Sequence, residues 1–112
     1  MRIAIPLAGG KLSAHFGHCE EFALIDADRD NKSVESVRTV TAPTHEPGAL
    51  PRWLAQQGAT LIISGGMGRR AQDIFAQQGI EVLVGAPTAD PKTVVEQYLA
   101  GRLQTGGNVC DH

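Results

Sequence analysis

The stretch Ala59-Thr60-Leu61-Ile62-Ile63-Ser64-Gly65-Gly66-Met67-Gly68-Arg69-Arg70-Ala71 decides the fold class. Its first six residues are a near-continuous apolar run, as expected of a strand covered on both faces. Glycines at 65, 66 and 68 then turn the chain. Met67, Ala71, Ile74, Phe75 and Gln78 recur at helical spacing until Gly79 ends the pattern. A buried strand that feeds a helix through a tight turn is the repeating unit of an α/β sheet.

Working outward, Ile80-Glu81-Val82-Leu83-Val84 reads as another buried strand. Asp90-Pro91 places an N-cap and an N1 proline before a helix carrying Val94, Val95, Tyr98, Leu99 and Leu103. On the other side, Leu50, Trp53 and Leu54 form the apolar stripe of a helix that Gly58 stops. Ile3, Ile5 and Leu7 alternate with smaller residues in a first strand over about 2–8, ended by Gly9 and Gly10. A second strand spans 21–27, and Asp28-Arg29-Asp30-Asn31 has the chemistry of a hairpin turn. The third strand, about 32–41, carries Val34, Val37 and Val40. Their spacing of three predicts a bulge or a half-wet edge strand. The order βββαβαβα implies right-handed crossovers and a sheet covered on both faces. Pro6 falls in a strand that this topology makes central, so it is expected near the strand end or at a bulge.

At 112 residues the chain is one domain, large enough for a single core. Residues 1–104 form that domain, and 105–112 a C-terminal tail. A net charge of −2 and five aromatic residues offer nucleic acid neither a basic face nor a row of stacking rings. No apolar run approaches the roughly 20 residues of a membrane span. Met1-Arg2-Ile3-Ala4-Ile5 leads straight into a strand without a signal-peptide core, so the cytoplasm is the expected compartment.

The chemistry is concentrated in two short clusters, His15-Phe16-Gly17-His18-Cys19 and Cys110-Asp111-His112. Together they hold both cysteines and three of the four histidines. Thiolates and imidazoles suit Zn²⁺, Cu⁺ or a metal–sulfur cluster and are poor for Mg²⁺ or Ca²⁺. Two thiolates cannot fill the four positions of an ordinary iron–sulfur cluster, so histidines, the cluster's own sulfides or a second subunit would complete it. The plainer alternative is that Cys19 is a small apolar cap and the tail carries no ligand. A Cys19–Cys110 disulfide is a further alternative.

If the first strand points its C-terminal end up, the loops at 9–19, 42–48, 64–68 and 85–90 open at one rim, where α/β sheets bind ligands. His15, His18, Cys19 and the lone loop histidine His45 then share an edge with Gly65, Gly66, Met67, Gly68 and Arg69. The last helix runs away from that rim. The nine residues after Leu103 can span about 30 Å and could bring Cys110 and His112 back. At the glycine turn, small residues let a ligand approach the backbone, and the helix N-terminus with Arg69 and Arg70 favours an anion. A tight turn alone would also account for at least two of the glycines. Gly66-x-Gly68-x-x-Ala71 also matches a dinucleotide fingerprint, but the next strand ends in Val84-Gly85-Ala86 with no acidic residue for a ribose. No P-loop, G-x-S-x-G or HExxH is present, so the chain is not expected to be an enzyme.

In these segments the chain resembles the dinitrogenase iron–molybdenum cofactor biosynthesis family, the NifX/NafY-like domains and their stand-alone relatives. The features are Ile3-Ala4-Ile5-Pro6, His15-Phe16-Gly17-His18-Cys19-Glu20-x-Phe22, Gly65-Gly66-Met67-Gly68-x-x-Ala71, Gly79-Ile80-Glu81-Val82, Tyr98-Leu99-Ala100-Gly101 and Asn108-Val109-Cys110-Asp111-His112. The resemblance covers essentially the whole chain. It implies a ribonuclease H-like α/β domain with a mixed five-stranded sheet and three helices. It also implies a carrier or assembly role for a metal–sulfur cluster, with molybdenum and iron or, in the orange-protein branch, molybdenum and copper. A cofactor-assembly or acceptor protein would be the partner. His15, His18 and Cys19, the glycine turn from Gly65 to Arg69, and Cys110 with His112 are the contacts it implies. A mononuclear zinc or copper site with a structural or sensing role is the rival reading, and a nucleotide-binding regulatory module is a third.

Overall fold

The computed structural model describes residues 1–16, 20–42 and 49–106. Strand β1 (Arg2–Ala8) is followed by β2 (Lys11–Leu12), β3 (Glu21–Asp28) and β4 (Ser33–Thr41). Helix α1 (Ala49–Gln56), β5 (Leu61–Ile63), α2 (Arg69–Gln77), β6 (Glu81–Leu83) and α3 (Pro91–Leu99) complete the order. The strands lie in one mixed sheet in the order β4-β3-β1-β5-β6, with β2 paired to β1. β1, β5 and β6 are parallel, whereas β3 runs antiparallel to both β1 and β4.

Alternation along the strands divides the core in two. Ile3, Ile5 and Leu7 of β1, with Leu61 and Ile63 of β5, pack against Val94, Val95 and Leu99 of α3. Ala4 and Ile62 point the other way, with Phe22, Leu24, Leu50, Leu54 and Phe75, beneath α1 and α2. Every central strand is therefore covered on both faces.

The expected hairpin is present, and its turn is held by the Asp28 carboxylate. It accepts from the Asp30 and Asn31 backbone N–H groups at 2.9 and 3.2 Å, and these bonds lower its pKa from the ordinary carboxylate value. The bulge is also there. The β3–β4 register shifts between Asp26 and Ala27, leaving Glu35 as the extra residue on edge strand β4. Val34 consequently packs with the α3 side and Val40 with the α1/α2 side, while Val37 is 46% exposed.

Three expectations need correction. The sheet has a sixth strand, because left-handed Gly9 and Gly10 (φ 61° and 82°) fold the chain back so that Leu12 pairs with Leu7. Strand β6 is not buried on both faces. It is the second edge, and Glu81 is exposed with Val82 and Leu83 only partly covered. Leu103 does not belong to α3. That helix ends at Leu99 in a Schellman motif: left-handed Gly101 (φ 72°) donates to Tyr98 and Arg102 donates to Gln97. Leu103 reaches the same core from the segment that follows.

Pro6 sits two residues before the end of β1, paired with Phe22 of β3. On its other side the neighbour changes there. β5 pairs with β1 only at Ile3 and Ala4, and β2 takes over at Leu7. The missing proline N–H therefore falls at a seam between two partners, where no regular ladder is interrupted.

The opposite end of the sheet is closed by polar contacts. Arg2 Nε donates to Asp26 Oδ1 at 2.7 Å, Arg2 Nη1 donates to the Gln57 carbonyl, and the Met1 amine donates to the Ala27 carbonyl at 2.9 Å. The Arg2 hydrogen bond lowers the Asp26 pKa from the ordinary value. A carboxylate with a depressed folded-state pKa stabilises above its unfolded pKa, about 3.9, and that contribution disappears as pH falls through the folded value. Asp26→Asn should accordingly flatten the acid limb of stability below about pH 4, measured by urea unfolding across pH. At α3, the Asp90 carboxylate accepts from Thr93 N–H at 3.3 Å. Asp90→Ala should cost about 1 kcal/mol, read as a lower urea midpoint with an unchanged slope.

Candidate functional site

The segment expected to carry ligands is built into the rim by its own backbone. Ser13 is 3% exposed, and its hydroxyl both donates to the His15 carbonyl (2.8 Å) and accepts from the His15 N–H (3.2 Å), closing a local turn. His15 then forms a parallel bridge with Gly66, and Phe16 N–H donates to the Gly66 carbonyl at 2.9 Å. The Phe16 ring drops into the core, 5.3 Å from Phe75 in an edge-to-face arrangement and 6.2 Å from Phe22. His15 itself stays exposed. The required convergence of residue 15 with the glycine turn is thus met.

Gly65 is where this turn presses against the loop after β1. Its N–H donates to the Ser13 carbonyl at 3.1 Å, and a Cβ there would lie 2.7 Å from Ala14 Cα and 2.9 Å from Ser13 O. Ser13 N–H in turn donates to the Pro6 carbonyl at 2.8 Å. Proline has no N–H to return, and the Ser13 carbonyl accepts from Gly65. On the far side, Gly85 N–H donates to the Gly65 carbonyl, and Gly106 N–H donates to the Gly85 carbonyl at 2.7 Å. Leu12 N–H also donates to the Ala89 carbonyl at 3.0 Å. The loops after β1, β5 and β6 therefore meet at one rim, and the chain beyond α3 returns to it at least as far as Gly106.

The expected contacts differ in what they can offer. Gly65 is buried and its N–H is taken by Ser13. The Gly66 carbonyl is taken by Phe16 N–H and, at 3.3 Å, by the buried Ser64 hydroxyl. Met67 is 1% exposed and its side chain packs in the core, which leaves its backbone as what it could present. Gly68 is the N-cap of α2, with φ −64° and ψ 152°, open space where a Cβ would stand and no side-chain cap. The first intrahelical bond is Gln72 N–H to Gly68 O, so the earlier amides of α2 have no partner within the helix. No acidic residue lies in the first turn, and Arg69 and Arg70 are exposed. This is an electropositive, uncapped helix start beside an exposed imidazole.

His18, Cys19, His45, Cys110 and His112 lie outside the described residues. Among the described residues no group of three or more His, Cys, Asp or Glu side chains is placed to hold a metal ion, and no helix is long and apolar enough to cross a membrane. The structure also adds residues that the sequence reading passed over. Ser13 and Ser64 brace the corner through their hydroxyls, and Gly85 and Gly106 extend the rim. A serine that closes an apolar run and a glycine just past a strand were the available signals.

With this geometry in place, the comparisons are consistent. The model of the dinitrogenase iron-molybdenum cofactor family matches residues 1–101, and the chain belongs to that family. An uncharacterized protein of Methanocaldococcus jannaschii, MJ0580, is 31% identical over 107 residues, covering 93% of this chain and 90% of its own. The crystal structure of PH0822 is also 31% identical, with a TM-score of 0.85 and 94% of each chain covered. The apo form of the orange protein from Desulfovibrio gigas shares the fold at 22% identity, with a TM-score of 0.71 and coverage of 96% of this chain and 93% of that one.

The close approach at Gly65 makes a contrast between two glycines. Gly65→Ala forces backbone against backbone and should cost about 1–3 kcal/mol. Gly68→Ser places its side chain in open space and supplies a cap, so it should leave stability unchanged or raise it by a few tenths of a kcal/mol. Denaturant unfolding of the two variants measures both.

Proposed function

We propose that this protein binds a molybdenum- or iron-containing metal–sulfur cluster at the rim and carries it, or helps assemble it. An iron–molybdenum cofactor precursor or a molybdenum–copper–sulfide cluster is the cargo. The observation that carries this reading is the His15–Gly66 bridge, which joins the ligand-bearing segment to the uncapped start of α2. Sulfide-rich clusters are polyanions. The amides from Gly66 to Arg69 and the Arg69 guanidinium suit such charge, whereas an acidic or capped helix start would oppose it. Two cysteines are too few to build an iron–sulfur cluster from free ions but enough to hold one already rich in its own sulfide.

In this reading His15, His18, Cys19, Cys110 and His112 ligate or hydrogen-bond the cargo, while Gly66, Met67 and Gly68 contribute backbone. Gly65 acts through structure, since its amide is committed. The protein performs no catalysis of its own. It works in the cytoplasm, receives the cluster from an assembly protein and hands it to an acceptor, a task suited to an exposed site. Family membership supports the role, and the strand order β4-β3-β1-β5-β6 with β3 antiparallel supports a ribonuclease H-like description of the fold.

Anaerobic purification followed by absorption spectroscopy, elemental analysis and acid-labile sulfide assay tests the proposal. Visible charge-transfer bands with molybdenum, iron or copper plus sulfide are expected. A colourless protein with one zinc would point to a mononuclear site, and a metal-free protein that binds nucleotide would point to a regulatory module. Replacing Cys110 and His112 together by alanine should lower retained metal about tenfold or more. Unchanged metal content would remove the tail from the site.

A further inference from the structure

The sheet ends in two edge strands, and they are guarded differently. Strand β6 has three residues and runs into left-handed Gly85 (φ 83°), which blunts it as a template for a further strand. Strand β4 has nine residues, carries neither proline nor lysine, and is rich in valine and threonine. Among the described residues it pairs with β3 alone. Val37, at its middle, is the one large apolar side chain exposed among those residues.

Register fixes which backbone groups of β4 face outward. Ala42 N–H donates to the Glu20 carbonyl at 2.9 Å, so Glu20 and Ala42 form a hydrogen-bonded pair. Bonded pairs recur at every second residue of an antiparallel ladder, which joins Val40, Arg38 and Ser36 to β3. The N–H and C=O groups of Val37 and Thr39 therefore point away from the sheet. The β1–β3 ladder has the same phase: Ala27 N–H donates to the Met1 carbonyl, which turns the odd-numbered residues of β3 toward β1 and the even-numbered ones toward β4.

We propose that β4 pairs antiparallel with β4 of a second copy of this chain, about a two-fold axis at Val37, joining two sheets into one. Such an axis sets each residue opposite one of the same parity, so the symmetric registers differ in what the side chains meet. An axis at Arg38 sets two guanidiniums face to face, and one at Thr39 leaves them diagonal neighbours; both repel. An axis at Ser36 puts the Glu35 bulge near the centre of the ladder. An axis at Val37 sets the exposed valine against its mate and bonds the two through their outward backbone groups. Arg38 then stands opposite the second copy's Ser36, whose hydroxyl donates to the Asp26 carboxylate at 3.1 Å. Glu35 shares that face, since it lines one surface depression with Asp26, Arg2 and Gly58. Asp26 is already answered by Arg2, which leaves Glu35 for the incoming Arg38. By symmetry two such crossed contacts form at once. The shared ladder, Glu35 to Thr39, is smaller than a standard interface, so the dimer is reversible and concentration-dependent. This edge lies two strands from β1 and stands apart from the cluster-binding reading.

Sedimentation equilibrium of the full chain tests the pairing, in reductant and chelator so that neither a disulfide nor a shared metal ion joins the copies. The parent should shift from monomer toward dimer, and no further, as concentration rises. Val37→Pro removes an N–H that no internal bond uses, so it should stay folded and remain monomeric over the same range. Arg38→Glu, at an exposed position, should weaken the dimer about tenfold or more, and adding Ser36→Arg should restore it by reversing the pair. Circular dichroism and urea midpoints report whether each variant is folded; should Val37→Pro unfold, Arg38→Glu and its rescue carry the test. Register is read separately. With Cys19 and Cys110 replaced by serine, Val37→Cys should oxidise to a covalent dimer, whereas Thr39→Cys, roughly 14 Å from its mate, should not. A parent that stays monomeric to about 1 mM, association beyond the dimer, a dimer that survives a folded Val37→Pro or Arg38→Glu, or linkage through Thr39→Cys in place of Val37→Cys would each overturn the inference.

Discussion

Four backbone hydrogen bonds cross the rim in line, from Gly106 to Gly85 to Gly65 to Ser13 to Pro6. Each residue gives its N–H to the carbonyl of the next, so five separate chain segments are joined without a single side chain. The line stops at proline, which has no N–H to pass on. It needs glycine at 65 and at 85, because a Cβ at either would strike neighbouring backbone. Hydrogen bonds arranged in such a chain polarise one another, which favours forming the set together. The loop after β1, the turn after β5, the loop after β6 and the segment after α3 thereby behave as one surface. Phe16 fixes this surface to the core beneath it through Phe22 and Phe75.

Helices α2 and α3 both start at this rim, and they are finished differently. Helix α3 begins with Asp90, whose carboxylate closes the first turn onto Thr93. Its positive end is neutralised locally, and Pro91 at the first position removes another donor. Helix α2 begins with Gly68, which has no side chain to turn inward, and has no acid in its first turn. Arg69 and Arg70 add positive charge to an end that is positive already. Gln72 reaches back to the Met67 carbonyl at 2.9 Å, an acceptor, so it leaves the donors untouched. Folding alone would favour a side-chain cap, by about a few tenths of a kcal/mol over glycine. Of the two, only α2 begins without a carboxylate of its own, and the proposed anionic cargo rests on that difference.

Most of the architecture was legible because it follows from periodicity and punctuation. The apolar run at 59–64, the glycines after each helix and the Asp90-Pro91 pair marked their elements to within a few residues. The valines at 34, 37 and 40 announced the bulge, since a spacing of three cannot keep one face of a regular strand. What escaped was structure without a period. A two-residue strand such as Lys11–Leu12 leaves no pattern, and Leu103 mimicked a fourth helical turn although Gly101 had already ended the helix. The proximity of His15 to the glycine turn followed from strand direction alone. The return of the tail to Gly85 did not, because it depends on one backbone contact between two glycines far apart in sequence.

The two ends of the sheet divide the labour. At the end away from the rim, charges cancel where they stand. Arg2 meets the Asp26 carboxylate and the carbonyl at the close of α1, where a cation is favoured, and the Met1 amine meets the Ala27 carbonyl. The donors named there already have acceptors. At the rim the backbone is joined to backbone, while Arg69 and Arg70 at the start of α2 are exposed and the first turn holds no acid. A fold that spent its polar groups evenly would have neither a closed end nor an open one. Under the cluster-carrying proposal, the exposed cations at the start of α2 are the part of this edge that an anionic cargo would meet.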